Sequence, residues 1–512
     1  MIYRVRKFHQ KHRDKIHAVM RPGIYLLGFF VLCLVYWINQ NFGQPSIEQI
    51  FYHLQFGADG LVDTDMAIVA SFTGYCLLLP IPLTVLAVLM EKLLRRARIY
   101  VLDKAISAHS AAANHTMIKI FKVLDWVIGH KAPLYLLLFS IIYFGVQFSA
   151  LAYIHNQFGK DYFAQHYIYP SRINITAANP KNLVLIYVES MEDSYSDPKL
   201  FGKNLLSSMD KLHGMSFNKF RQVPGTNWTI AGMTATQCGV PLKSVTMFDG
   251  NDQGENVNAF LPNAVCLGDV LNKFGYRNVY MGGDALSFSG KGKFYQDHHF
   301  DEVYGREELK GSLTQADMNF WGLYDDDLFQ KAKVKLRELH DSRQRFNLTI
   351  STIDTHGPDG HYSKWCRQQG VKDFEGIVEC TSNQVADFVK FIKQSGYLKD
   401  TNVVILGDHL AMENPVYATL EKSPERHVFN SWISRKPFTK NRDAIVHFDM
   451  FPTILEFINI HVAGDRLGLG YSAISKSGIL PSPNEYEEMK EDLLNKSDKY
   501  LDLWAKHPAA AE

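Results

Sequence analysis

Acidic and histidine side chains stand at the ends of four short apolar runs between residues 180 and 410. They are Glu189, Asp408 with His409, His356, and Asp284. Two carboxylates and an imidazole form an ordinary ligand set for a divalent cation such as Mn²⁺ or Zn²⁺. Any one of these residues by itself is typical of a helix cap or a solvated loop. All of them in equivalent positions predict a shared metal site.

A hydroxyl nucleophile is available in the segment Gln222–Met233, which contains Thr226 and Thr229 just before a small-residue stretch with helical character. A threonine hydroxyl is a poor nucleophile until a base or a metal lowers its pKa. The free N–H groups of a helix N-terminus would also favour an attacked phosphate. A plain N-cap is the competing interpretation. Spacing alone does not choose between the two threonines.

The elements that must position these groups form an α/β pattern. Apolar runs predict strands at Asn182–Val188, Arg277–Met281, Phe346–Ile353 and Thr401–Leu406, with helical stretches at 269–274, 326–339 and 382–395 between them. Continuous apolar runs are typical of strands covered on both faces. The alternation predicts a mainly parallel central sheet flanked by helices, with ligands bound beyond the carboxyl ends of the strands.

Three charge-free apolar runs precede this domain, at about residues 22–38, 66–90 and 134–154. A membrane span needs about 20 apolar residues, so the first run is at the short end. A cleaved signal peptide is disfavoured because the first run lacks a small-residue cleavage site. The sequence therefore predicts a membrane domain over residues 1–154 with three transmembrane helices.

The charges of the loops predict an orientation for these spans. Residues 1–21 and 92–131 are rich in Lys and Arg, whereas residues 39–65 contain acidic residues and no Lys or Arg. Positively charged segments stay in the cytoplasm. Three crossings then place the N-terminus in the cytoplasm and everything after residue 154 outside. We therefore expect a multi-pass protein of a bacterial inner membrane with a periplasmic catalytic domain.

Cysteine usage agrees with an oxidising compartment. The domain predicted to be exported contains four cysteines, Cys238, Cys266, Cys366 and Cys380. An even number favours two disulfides, although four cysteines allow three connectivities. A Cys366–Cys380 bond would close a short loop worth about 3 kcal/mol. A zinc site is the alternative, but no close CxxC pair supports it.

The remaining segments suggest a linker, a catalytic domain and a tail. Residues 155–181 carry several aromatic residues and are predicted to be an interfacial linker, with an ordinary linker as the alternative. Residues 182–480 are the predicted catalytic domain, and 481–512 a C-terminal amphipathic helix that packs on the domain or contacts a membrane or partner. With 54 Lys and Arg against 53 Asp and Glu, the chain is not expected to bind nucleic acid. The oligomeric state is not predicted.

Several segments together resemble the lipoteichoic acid synthase-like branch of the alkaline phosphatase/sulfatase superfamily, which includes phosphoglycerol transferases. They are Tyr187–Ser190, Pro224–Met233, Asp354–His356 and Gly407–His409, within a likeness that runs from about residue 180 to 475. The resemblance implies that Glu189, Thr229, Asp408 and His409 bind the metal and that Thr229 is the nucleophile. It also implies that His356 binds substrate.

The resemblance is weaker at the headgroup-binding positions. The Asp, Trp and Arg of that branch fall near Asp284, Ser289 and Lys291, so only the acid is retained. Lys291 is expected to act as a point charge on phosphate, without the bidentate grip of arginine. Sulfate ester hydrolysis is not expected, because the sequence Cys238-Gly-Val-Pro-Leu lacks the formylglycine motif C/S-x-P-x-R.

The resemblance implies a metal-dependent enzyme that moves phosphoglycerol from phosphatidylglycerol to a periplasmic or cell-envelope glycan through a covalent phosphothreonine, releasing diacylglycerol. One divalent cation is expected, with Mn²⁺ preferred and Zn²⁺ or Mg²⁺ as alternatives. The expected partners are a phospholipid donor in the bilayer and a glycan or lipopolysaccharide acceptor. The competing functions are a phosphoethanolamine transferase acting on lipopolysaccharide, a hydrolase with water as acceptor, and a catalytically inactive membrane scaffold.

Overall fold

The computed structural model describes residues 2–42, 50, 66–107, 131–150, 155–156, 158–243, 259–475 and 480–505. Two compact units are distinguished. The first comprises Met1–Ile47 and Met66–Ala152, and the second comprises Glu48–Asp65 and Tyr153–Glu512.

The first unit is helical. Its helices are α1 (Ile2–Phe42), α2 (Met66–Phe72), a π-helical segment (Thr73–Leu78), α3 (Pro80–Ser107) and α4 (Ala132–Gln147). Among the described residues, Met20–Asn41 and Val69–Leu94 are long and apolar enough to cross a membrane. They overlap the first two predicted spans.

The third predicted span, 134–154, overlaps α4, which has 16 residues and is shorter than the roughly 20 that a span needs. The end of this prediction, residues 151–154, lies outside the described residues. The three-span topology therefore stays a prediction, and so does the orientation that depends on it.

The second unit is built around one mixed sheet. Its strands are β1 (Ile175–Ala177), β2 (Asn182–Val188), β3 (Lys219–Arg221), β4 (Arg277–Gly282), β5 (Glu302–Tyr304), β6 (Phe346–Ser351), β7 (Thr401–Gly407), β8 (Asn430–Ile433), β9 (Ala444–Val446), β10 (Ile460–Val462), β11 (Arg466–Leu467) and β12 (Gly470–Tyr471). Six of them form the sheet in the order β5-β4-β6-β2-β7-β8. All neighbours are parallel except β8, which runs antiparallel at the edge. The predicted mainly parallel sheet is confirmed.

The register brings the strand ends to one edge. Val188 of β2 pairs with Gly407 of β7, and Ser351 of β6 pairs with both Tyr187 and Gly282. The residues that directly follow these strands therefore lie along a single rim, which is where ligands bind in parallel α/β sheets.

Helices cover both faces of this sheet. They are α5 (Tyr162–His166), α6 (Pro198–Phe201), α7 (Ser207–Asp210), α8 (Thr229–Cys238), α9 (Leu267–Lys273), α10 (Lys291–Asp297), α11 (Arg306–Leu309), α12 (Asp325–Asp341), α13 (Lys364–Gln368), α14 (Phe374–Gln394), α15 (Tyr417–Leu420), α16 (Met450–Phe457), α17 (Glu485–Asp492) and α18 (Asp498–Leu501). Alternate residues of β2 enter two separate cores, with Leu185 in one and Ile186 in the other. Burial on both faces explains why β2 is apolar throughout.

Three aromatic residues of 155–181 lie in the core of the second unit, whereas Phe158 is 87% exposed. Tyr162, Phe163 and Tyr167 are all buried, and the Tyr162 hydroxyl donates a hydrogen bond to Glu485 Oε1 at 3.2 Å. The Phe163 ring meets the Tyr500 ring edge-on at 5.4 Å. The interfacial interpretation is wrong for these three rings, because the C-terminal segment supplies the apolar partner that a lipid surface was expected to supply.

The C-terminal segment forms two short helices, α17 and α18, where a single amphipathic helix was predicted. The break lies before Ser497, whose side chain accepts a hydrogen bond from Tyr500 N and caps α18. Met489 and Leu503 are buried in the core of the unit, so the segment packs on the domain. Residues 506–512 lie outside the described residues.

Both expected disulfides are present. Cys238–Cys266 joins the end of α8 to the start of α9, and Cys366–Cys380 joins α13 to α14. The structure thus settles a connectivity that cysteine counting left open, and these four sulfurs are not thiolate ligands for zinc.

Candidate metal and nucleophile site

Three predicted ligands meet at the rim of the sheet. Glu189 follows β2, and Asp408 and His409 follow β7; all three are buried, and one ligand atom from each lies within 4.8 Å of the others. His409 Nε2 is 3.4 Å from Glu189 Oε1 and 3.5 Å from Asp408 Oδ2. The parallel register of β2 and β7 explains the proximity of residues more than two hundred positions apart.

The hydrogen bonds of His409 and Asp408 leave one possible ligand atom of each for a metal, while the Glu189 oxygens accept from the hydroxyls of Ser190 and Thr229. His409 Nδ1 lies 2.8 Å from the Leu410 carbonyl, which can only accept, so Nδ1 carries a proton and Nε2 offers its lone pair once the imidazole is neutral. Asp408 Oδ1 accepts from the backbone N–H groups of Ser190 at 2.8 Å and His409 at 2.9 Å. Asp408 Oδ2 is buried and has no hydrogen-bond partner among the described residues. A buried carboxylate oxygen of this kind is costly without a cation, so the donor set fits a divalent metal.

Burial makes these charges act strongly on one another. Burial, together with the Glu189 carboxylate, raises the pKa of Asp408 to about 7. Burial alone would lower the pKa of His409, but the Asp408 and Glu189 carboxylates raise it to about 9. Burial also opposes ionisation of Glu189, yet the imidazoles of His356 and His409 hold its pKa below the ordinary value. Asp408 and His409 thus hold protons near neutral pH, which a divalent cation must displace.

The two threonines left open by the sequence have different surroundings. Thr229 is the first residue of α8, and its hydroxyl donates to Glu189 Oε2 at 3.2 Å. Thr226 is fully buried, and its hydroxyl donates to the Val223 carbonyl at 2.8 Å. Of the two, Thr229 is therefore the one whose hydroxyl reaches the metal ligands.

Close backbone packing holds Thr229 in this position. Gly232, one turn further along α8, faces the Asp408 carbonyl so closely that a Cβ at this position would overlap it. The same carbonyl accepts a hydrogen bond from His447 Nε2 at 2.9 Å. Glycine is needed here because helix and strand end meet backbone to backbone.

The loop after β6 carries His356 to the same rim. The Thr355 hydroxyl donates to the Glu189 carbonyl at 2.6 Å, and Glu189 N donates to the Thr352 hydroxyl at 3.0 Å. His356 is half-buried, and its Nδ1 donates to the Gly357 carbonyl at 2.7 Å. Since Nδ1 is the protonated nitrogen, Nε2 donates a hydrogen bond to a phosphoryl oxygen only when the imidazole is protonated.

Sequence reasoning missed the residues that hold this loop. Asp325 at the start of α12 accepts from the N–H groups of Ile353 at 2.8 Å and Asp354 at 3.2 Å. Asp354 in turn accepts from Asp325 N at 3.2 Å and from Asn319 Nδ2 at 3.3 Å. Asp325 stands in a helix-start pattern that looks like ordinary capping, so only the tertiary contact reveals its role.

Asp284 lies apart from the three-ligand cluster and pairs with Lys291. Both side chains are buried, and the Lys291 ammonium donates a short hydrogen bond to Asp284 Oδ2. The expectation that Lys291 acts as a point charge on phosphate stays a prediction, and the Asp284 carboxylate compensates the Lys291 charge in this structure. Together the two side chains form a buried polar pair with no net charge.

The chain is similar to a known family and to curated proteins. A family profile described as Sulfatase matches residues 181–460, more than half of the chain. Two curated relatives named phosphoglycerol transferase I are similar: one from Escherichia coli is 38% identical over 371 residues, and one from Shigella flexneri is 37% identical over 368 residues. Each alignment covers 69% of this chain and 45% of the relative, so the chain spans about half the length of these relatives.

A solved structure with low sequence identity is also similar to part of this chain. A protein of the alkaline phosphatase superfamily from Vibrio parahaemolyticus is 18% identical, with a TM-score of 0.47. The superposition covers 69% of this chain and 95% of that protein.

Proposed function

We propose a phosphoryl-transfer reaction from the premise that this chain belongs to the sulfatase family of the alkaline phosphatase superfamily. The enzyme moves phosphoglycerol from phosphatidylglycerol to a hydroxyl of a periplasmic or cell-envelope glycan and releases diacylglycerol. The observation that carries the proposal is the Thr229 hydroxyl, 3.2 Å from a carboxylate oxygen of a buried three-ligand cluster. The similarity to relatives named phosphoglycerol transferase I supports the choice of group.

The residues have separate roles in two displacements at phosphorus. Glu189, Asp408 and His409 would hold one divalent cation, for which we favour Mn²⁺. When bound, such a cation lowers the pKa of a nearby hydroxyl and stabilises negative charge on phosphoryl oxygens. Thr229 Oγ attacks the phosphorus, its proton leaves, and the bond from phosphorus to the diacylglycerol oxygen breaks as that oxygen gains a proton.

The second displacement returns the enzyme to its starting state. A glycan hydroxyl attacks the phosphorus of the phosphoglycerol–threonine, loses its proton, and the Thr229 hydroxyl is restored. His356 in its protonated form donates from Nε2 to a phosphoryl oxygen in both steps. Splitting the transfer in two lets one set of side chains stabilise both transition states.

The Asp284–Lys291 pair favours glycerol over ethanolamine as the headgroup. Asp284 follows β4 at the same rim as Glu189 and offers a carboxylate oxygen as an acceptor, while Lys291 offers N–H donors. Glycerol hydroxyls can use both. The ammonium of ethanolamine would add a positive charge beside Lys291 in a buried place where Asp284 is already neutralised, which is unfavourable.

The location of the enzyme is part of the proposal. The apolar helices of the first unit are candidate membrane spans that would keep the enzyme beside its lipid donor. The two disulfides of the second unit are typical of proteins that fold outside the cytoplasm. We therefore propose that the catalytic unit faces the periplasm and accepts a glycan or lipopolysaccharide hydroxyl there.

The test uses the full-length protein in detergent with Mn²⁺ and either phosphatidylglycerol or phosphatidylethanolamine. We expect diacylglycerol release and a single phosphoglycerol mass adduct on the protein with the first lipid, and neither with the second. Activity with the ethanolamine lipid alone would establish the phosphoethanolamine alternative. Free glycerol phosphate formed without any glycan would indicate a hydrolase. No diacylglycerol release and no adduct with either lipid would favour a catalytically inactive membrane scaffold.

Lys291→Met should shift donor preference towards ethanolamine. The substitution leaves Asp284 as a buried carboxylate without its cation, and the ammonium of ethanolamine can replace that charge. We expect the ratio of kcat/KM for phosphatidylethanolamine to that for phosphatidylglycerol to rise about tenfold or more. Diacylglycerol release measures both constants.

The matched control for this variant is Lys335→Met. Lys335 also pairs with a carboxylate, Glu302 Oε2 at 2.9 Å, but Glu302 is level with Val279 in the middle of β4 and not at its carboxyl end. In Lys335→Met the ratio of kcat/KM for phosphatidylethanolamine to that for phosphatidylglycerol should equal the ratio in the wild type. An unchanged ratio in Lys291→Met would count against the charge argument.

A further inference from the structure

The Trp321 ring lies between two parts of the site that the strand ends alone do not connect. Its centroid is 4.6 Å from that of the His356 imidazole and 4.9 Å from that of the Phe288 ring. Phe288 stands between Asp284 and Lys291 in sequence. Trp321 is 5% exposed, whereas His356 and Phe288 are each half-buried.

Hydrogen bonds hold the Trp321 loop against both neighbours. Asn319 Oδ1 accepts from Trp321 N at 2.8 Å and Gly322 N at 2.9 Å, while Asn319 Nδ2 donates to Asp354 at 3.3 Å. Asp354 belongs to the loop that carries His356. On the other side, Gly322 forms an isolated antiparallel bridge with Asp284. The Trp321 loop is thus held to the His356 loop by the Asn319 side chain and to the Asp284–Lys291 loop by a backbone bridge.

We propose that Trp321 is a specificity-determining residue whose ring forms the wall of the donor headgroup subsite between His356 and the Asp284–Lys291 pair. This inference rests on the proposed function, since it concerns the group that the enzyme transfers. A group attached to a phosphate near His356 and reaching towards Asp284 must pass along the indole and the Phe288 ring. A short polyol packs its C–H groups on such a surface, whereas a bulkier ring polyol such as inositol meets the indole as a barrier.

The experiment compares three donors in the full-length wild type, Trp321→Leu and Trp321→Phe. Diacylglycerol release is measured with phosphatidylglycerol, phosphatidylethanolamine and phosphatidylinositol. In Trp321→Leu we expect KM for phosphatidylglycerol to rise about tenfold with kcat changed less than about threefold, because the wall positions the headgroup but does not react. In Trp321→Leu the ratio of kcat/KM for the inositol donor to kcat/KM for the glycerol donor should rise about tenfold or more. The ratio in Trp321→Phe should lie between those of the wild type and Trp321→Leu.

Phe329→Leu is the control for a purely structural loss. Phe329 lies on α12 in the core and packs on Phe388 at 5.3 Å, so its removal lowers the melting temperature without opening the subsite. Its donor ratios should equal those of the wild type. An unchanged ratio in Trp321→Leu, or an equal loss with all donors, overturns the proposal.

Failure of the proposed function is a distinct result. A wild type that uses the ethanolamine donor alone overturns that function. The Trp321 inference is then decided by whether the kcat/KM ratio of the inositol to the ethanolamine donor rises in Trp321→Leu. For a wild type without turnover, calorimetric binding of glycerol phosphate and inositol phosphate decides it. The ratio of the Kd for inositol phosphate to the Kd for glycerol phosphate must then fall about tenfold in Trp321→Leu. An unchanged ratio overturns the inference.

Discussion

Replacing Thr229 with alanine removes the covalent adduct and lowers diacylglycerol release by about a thousandfold or more, as loss of a nucleophile does in enzymes with covalent intermediates. The hydroxyl of Thr229, unlike that of Thr226, reaches the Glu189 carboxylate, and no alanine atom can take its place. Thr229→Ser keeps a hydroxyl at the start of α8 and should retain adduct formation at a reduced rate. Intact-mass measurement with phosphatidylglycerol and Mn²⁺ follows the adduct directly.

Thr226→Ala is the matched control. Its hydroxyl bonds only to the backbone of Val223 among the described residues, so its loss costs about 1 kcal/mol of stability and leaves the adduct intact. The assignment of the nucleophile would be wrong if Thr226→Ala lost the adduct and Thr229→Ala kept it. An adduct in both variants would point to a different nucleophile.

The strand ends are the part of the site that sequence predicts well. A parallel strand covered on both faces is a continuous apolar run with a sharp polar boundary, and Glu189 and Asp408 stand at two such boundaries. Strand order and register decide which strand ends become neighbours, and they pair Val188 with Gly407. Parallel packing then places the carboxylates side by side without any further information.

Contacts between loops are not visible in the same way. Nothing in the spacing of Lys291 indicates that Asp284 neutralises it, and Trp321 stands at no strand end and in no motif. Asn319 joins the Trp321 loop to Asp354 through one side chain, and the path of the chain in space decides that contact. The choice between Thr226 and Thr229 likewise needs the direction of each hydroxyl.

Composition does not distinguish two environments that favour the same residue types. The aromatic residues of 155–181 suit a lipid interface and a protein core equally well, since both offer apolar contact with some polar partners. The core holds Tyr162 because Glu485 accepts a hydrogen bond from its hydroxyl, and it holds Phe163 because Tyr500 packs against it. Both partners come from the C-terminal segment, more than three hundred residues away.

Removing one charge from the metal cluster should abolish stabilisation by Mn²⁺ without unfolding the protein. In Asp408→Asn the amide keeps the shape of the side chain but weakens the ligand, so the variant should lose activity in Mn²⁺ by about a hundredfold or more. A cation at one hundred times its Kd stabilises the wild type by about 2.7 kcal/mol, and this gain should vanish in the variant. Thermal unfolding with chelator and with Mn²⁺ measures the difference.

The sign of the effect without metal makes this test specific. Asp408 Oδ2 is buried beside the Glu189 carboxylate and has no hydrogen-bond partner among the described residues, so a neutral amide relieves repulsion above about pH 7, where the Asp408 carboxyl ionises. In chelator, Asp408→Asn should therefore melt at or above the wild-type temperature. Asp193→Asn is the control, because burial and the nearby Asp210 and Glu192 raise the pKa of Asp193 to about 8 outside the cluster. It should keep the full Mn²⁺ shift, and an equally full shift in Asp408→Asn would place the cation elsewhere.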